Sequence, residues 1–161
     1  MSTLRSENGC NWDKAQTFET LAPYAIEEAH EVAEAIAEKN YSHVCDELGD
    51  LLLQVIFQAQ IAKEAGLFQF ADVVNAISGK MVRRHPHVFN QQSALTPEEV
   101  SQQWAAIKAQ EQGEKPKRRY LLDAVPSGLP ALTRAEKLQK QASKVGFDWH
   151  DTQAVILKLR E

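Results

Sequence analysis

Four acidic residues dominate the first third of this chain. Glu28 and Glu31 form one pair, Glu47 and Asp50 a second, within "EEAHEVAEAIAEKNYSHVCDELGDLLLQ". Each pair has a spacing of three, so on a helix its two carboxylates share a face. The surrounding apolar residues recur with helical period: Phe18, Leu21, Ala25, Val32 and Ile36 lie on one stripe. "KNYS" reads as a turn, with Asn40 as a helix stop and Ser42 as the next N-cap. Two helices joined so closely are antiparallel neighbours. The four carboxylates then converge across one seam, where they repel one another unless a cation sits between them. Oxygen ligands suit a hard divalent ion, Mg²⁺ first and Mn²⁺ as a possibility. The bland alternative is a solvated acidic helix face. The restriction on the fold is the same in both cases: an all-α bundle built on this helix pair.

The rest of the pattern is also helical. The second helix is expected from His43 to Glu64, ending at Gly66, with "LGDLLLQVIFQAQIA" apolar on most sides. A third is expected from Phe70 to Arg84, broken at "HPHVF" because a residue before proline disfavours helical geometry. Pro23 falls near the start of its helix, where a missing N–H costs least. Thr96, Pro97 and Glu99 form a capping-box start for a further helix. Gly49, inside the second helix, is read as a point of close approach, and Asp50 as abutting the core beside "LLLQ". No alternating strand pattern is present. The expected organisation is a domain over residues 1–112, a linker over 113–128, and residues 129–161 beyond it. There "GFDW" (Gly146–Trp149) echoes "GCNW" (Gly9–Trp12).

Composition narrows the class. The chain has 161 residues, 43% hydrophobic, with a net charge of −4. That balance argues against nucleic acid as a general partner, and no apolar run reaches membrane-spanning length. Cys10 and Cys45 lack metal-finger spacing, so a reduced cytoplasmic protein is expected. Positive charge is local. Lys80, Arg83 and Arg84 lie within about one turn in "KMVRRH"; arginine forks and a lysine suit phosphate oxygens, although basic residues at a helix C-terminus are also ordinary. Glu27 and His30 form E-x-x-H, but a di-iron bundle needs a second such pair, which the sequence lacks.

"NGCNWDKAQTFETLAPYAIEEAHE", "DELGDLLLQ", "KMVRRHPHVF" and "WAAIKAQE" together resemble the MazG nucleoside triphosphate pyrophosphohydrolases. The resemblance runs from Gly9 to Glu161. It implies an all-α bundle completed by dimerisation, as a homodimer or higher homo-oligomer. It also implies Mg²⁺-dependent hydrolysis of a nucleoside triphosphate to the monophosphate and pyrophosphate. Carried over, Glu28, Glu31, Glu47 and Asp50 are the metal and catalytic residues. Lys80, Arg83 and Arg84 hold the phosphates, and Trp104, with Lys108 nearby, meets the nucleoside. Tyr24 and His43 stand where relatives can carry lysine. Gly146–Glu161 resembles the opening of a second unit, as in two-copy relatives. The alternative reading makes this unit a weakly active or inactive copy, a scaffold for dimerisation and regulation.

Overall fold

The computed structural model describes residues 1–90, 95–113, 120–149 and 151–160. Its described elements are helical. In residues 1–95 these are α1 (Asn11–Ala15), α2 (Phe18–Ala37), α3 (Tyr41–Glu64), α4 (Phe70–Arg84) and α5 (Pro86–Phe89). Residues 96–161 form a second compact unit with α6 (Pro97–Gly113), a 3₁₀ turn (Leu121–Ala124), α7 (Ala131–Ser143) and α8 (Thr152–Leu159). The expected linker falls in this second unit, and residues 114–119 of it lie outside the described residues. No described helix is long and apolar enough to cross a membrane.

Local chemistry sets the helix ends. Thr17 caps α2: its hydroxyl accepts from the Thr20 N–H, and the Thr20 hydroxyl accepts from the Thr17 N–H at 2.8 Å. Pro23 is the sixth residue of α2, past the opening positions whose N–H groups have no helical partner. The α2–α3 turn also differs from expectation. Asn40 is the cap of α3, its side chain accepting from the His43 N–H at 3.3 Å, and Ser42 lies inside the helix. The stop is made by Lys39, in the left-handed region at φ 58°. Gly66, at φ 69°, ends α3 where the sequence placed it. The Thr96–Glu99 capping box forms, with Glu99 accepting from the Thr96 N–H at 2.8 Å and Thr96 from the Glu99 N–H at 3.3 Å.

The three-residue turn folds α3 back along α2, and α4 packs on α3. Leu21, Ala35, Phe57, Ala59 and Ala62 are buried at this seam. Leu48, Leu52, Leu53 and Val55 of α3 remain exposed, as do Ile26 and Ile36 of α2. The N-terminal segment is tied to the far end of α3 by Arg5. Its guanidinium donates to Glu64 Oε2 at 2.7 Å and 2.9 Å, donates to the carbonyls of Asp13 and Gln16, and lies 5.6 Å from the Phe57 ring centroid. Gly9 is required in this segment, because a β-carbon there would stand 2.1 Å from the Leu4 carbonyl oxygen.

Candidate metal centre

The antiparallel pairing brings α2 residue Glu28 opposite α3 residues Glu47 and Asp50. One carboxylate oxygen from each lies within 4.8 Å of the others. Glu28 and Glu47 are half-buried, and Asp50 is exposed. Asp50 therefore faces water rather than abutting the core, and a β-carbon at Gly49 would meet nothing within 4 Å. Among the described residues, then, no group makes the close approach read from Gly49.

Glu31, one turn along α2, lies beside this set of three rather than within it, and acts on it through Glu28. The Glu28 carboxyl is held above the ordinary range. Its burial is the main cause, followed by the charges of Glu31 and Asp50, the hydrogen bond with Glu31 and the charge of Glu47. Burial and neighbouring like charges both disfavour the charged form of a carboxyl. A divalent cation with oxygen preference offers relief from those like charges.

His43 is the partner that sequence reasoning passed over. Its Nε2 lies 2.7 Å from Glu47 Oε1 across one helical turn, and the Glu47 side chain is only 12% exposed. The contact fixes which way Glu47 points. The i,i+4 spacing of His43 and Glu47 was the available signal; reading position 43 as a missing lysine concealed it.

Lys80, Arg83 and Arg84 occupy the last turns of α4, as the sequence placed them. Arg83 reaches back over Gly79, where a β-carbon would stand 3.3 Å from its guanidinium. His85 Nδ1 sits 2.7 Å from the Met81 carbonyl and closes the helix ahead of Pro86. Trp104 belongs to the second unit. There Lys108 Nζ lies 5.1 Å from its ring centroid, and both line a cleft of about 540 Å³ with Ser101, Ala124, Gln141 and Lys144.

Fold and site define an all-α bundle that presents a carboxylate box from two antiparallel helices. Residues 16–89 match the MazG nucleotide pyrophosphohydrolase domain, a span that includes the four acids and the three basic residues but not Trp104. Over its whole length the chain is 50% identical to a nucleoside triphosphate pyrophosphohydrolase of Escherichia coli K12. It is 48% identical to the nucleoside triphosphate pyrophosphohydrolase/pyrophosphatase MazG of Thermotoga maritima. It spans 61% of the length of each. A crystal structure of a MazG-related protein from Thermotoga maritima superposes with a TM-score of 0.55 at 26% identity, covering 65% of this chain and 91% of that one. Residues 16–89 of the chain are therefore a MazG nucleotide pyrophosphohydrolase domain.

Proposed function

We propose that this chain hydrolyses nucleoside triphosphates to nucleoside monophosphate and pyrophosphate, using Mg²⁺, with Mn²⁺ able to replace it. The observation that carries the reading is the convergence of Glu28, Glu47 and Asp50 within 4.8 Å. The names of the relatives support the substrate class and the reaction.

In this reading Glu28, Glu47 and Asp50 hold the cation, and Glu31 completes the set from beside Glu28. The cation, when bound, neutralises phosphate charge and makes water a better nucleophile. His43 keeps Glu47 oriented for that role. Lys80, Arg83 and Arg84 supply positive charge for the distal phosphates, which leave together as pyrophosphate. No serine or cysteine nucleophile is needed.

The exposed leucines of α3 flank the box and leave apolar surface uncovered, each square ångström of which is worth about 25 cal/mol when buried. We therefore infer a homodimer or higher homo-oligomer that covers this face. The same face supports the second reading, in which the unit is a scaffold with little turnover. Pyrophosphate release from mixed nucleoside triphosphates, with and without Mg²⁺, separates them. Metal-dependent release in wild type and its loss in Asp50→Asn supports the hydrolase; binding without release supports the scaffold.

A further inference from the structure

Tyr24, Glu28 and Glu31 recur at i, i+4 and i+7, so the tyrosine shares one face of α2 with two acids of the box. Tyr24 is 40% exposed. Its ring meets Trp12 of α1 edge-on, with centroids 6.3 Å apart. Trp12 meets Phe57 edge-on at 6.4 Å on its other flank, yet remains 54% exposed. This indole is not on a loose end. Arg5 clamps the segment to Glu64 and to the carbonyls of Asp13 and Gln16, both shortly after Trp12 in sequence, and the Gln16 amide donates to the Trp12 carbonyl at 3.0 Å. Two fixed aromatic rings are thus held half in water beside a cluster of phosphate-side chemistry, where an inward turn would have gained burial.

We propose that Trp12 and Tyr24 form the platform on which the nucleobase of a nucleoside triphosphate stacks while its phosphates lie at the acidic box. The proposal rests on the hydrolase reading above and gives its site a base contact within the same unit, in place of Trp104. Along α2 Tyr24 lies about 6 Å from Glu28 and about 11 Å from Glu31, so base and phosphates would be spread along one face of the helix. Stacking reads the π-face that every base carries, so the platform tolerates purine and pyrimidine alike. These are binding residues; the acids remain the groups that touch the reacting atoms.

The test separates base from phosphate. Protein carrying Trp104→Phe and Trp149→Phe retains Trp12 as its only tryptophan and is titrated with Mg²⁺–nucleoside triphosphate and with Mg²⁺–tripolyphosphate, which has no base. Nucleotide should change Trp12 fluorescence, and tripolyphosphate should bind by calorimetry without doing so. Trp12→Leu should weaken nucleotide binding by about tenfold or more and leave tripolyphosphate affinity unchanged. Tyr24→Ser, at an exposed position outside the buried core, should weaken nucleotide selectively in the same way and guards against a folding defect in Trp12→Leu. The platform is overturned if saturating nucleotide leaves Trp12 fluorescence unchanged, if both variants bind nucleotide as wild type does, or if the selective loss follows Trp104→Ala instead. If wild type binds neither nucleotide nor tripolyphosphate, the hydrolase reading itself has failed and takes the platform with it.

Discussion

Asp50→Asn should make the metal-free protein more stable while removing its response to Mg²⁺. Glu28, Glu47 and Asp50 each place a carboxylate oxygen within 4.8 Å of the others. Two unit charges at that separation repel by about 0.9 kcal/mol in water. Asp50 is exposed, so physiological salt roughly halves this, to about 0.5 kcal/mol per pair. The amide removes the pairs with Glu28 and Glu47, although residues 47 and 50 stay close in the unfolded chain as well. A net gain of about 0.5–1 kcal/mol remains, which for a unit of this size raises the melting temperature by about 2–8 °C. Wild type recovers more than this once metal is present, since a ligand at a hundred times its Kd stabilises the native state by about 2.7 kcal/mol. The assay is thermal unfolding by circular dichroism at pH 8, in EDTA and in excess Mg²⁺, for wild type and variant. The curves should cross: the variant melts higher in EDTA and wild type melts higher in Mg²⁺. A variant that melts lower in EDTA, or that gains as much from Mg²⁺ as wild type, refutes the view that these carboxylates repel in the absence of a cation and share one when it is bound.

Three further outcomes follow from the same geometry. Glu28 has a raised pKa in the folded state, so its stabilising proton is fully present below the ordinary value of 4.5 and is lost as pH rises through the raised one. Metal-free stability should fall across that window, and Mg²⁺ affinity should rise across it with proton release, measured by calorimetry in buffers of different ionisation enthalpy; pH-independent binding would contradict this. Arg5→Met should cost about 2 kcal/mol near neutral pH, because it removes charge-assisted bonds to a partly exposed Glu64. Arg5 holds the Glu64 carboxyl below the ordinary range, so the wild-type advantage, present above the ordinary value, should shrink as pH falls through the lowered one; an equal gap in acid urea melts would argue against it. Light scattering at micromolar concentration should give at least twice the monomer mass, and Leu48→Glu with Leu52→Glu should lower it; a wild-type monomer would leave the exposed face of α3 without its proposed cover.

The helix pair and its acids were legible because both depend on spacing alone. Residues three apart on a helix meet, and a turn of three residues leaves α3 no course but back along α2. What escaped the sequence depended on backbone conformation or on contacts across elements. Lys39 adopts a left-handed φ that glycine or asparagine more often takes, so the stop was assigned to Asn40, whose side chain instead caps the next helix. Gly49 has a helical cost that suggests a packing reason, but open space lies beside it. Asp50 borders an apolar run in sequence, yet its own side of α3 faces water. Arg5 lies 59 residues from Glu64, beyond the reach of any local pattern, and with it went the placement of Trp12 against Tyr24 and Phe57.

In the proposed reaction a nucleoside triphosphate is cleaved between its α- and β-phosphates, and Glu28, Glu31, Glu47 and Asp50 would hold the divalent cation it needs. Phosphorus NMR of the products tests it most directly, with wild type and Glu47→Gln incubated side by side with a nucleoside triphosphate in Mg²⁺ and in EDTA. Wild type in Mg²⁺ should give nucleoside monophosphate and pyrophosphate, with triphosphate unchanged in EDTA and in the variant. Nucleoside diphosphate with inorganic phosphate, or turnover that survives EDTA or Glu47→Gln, would contradict it.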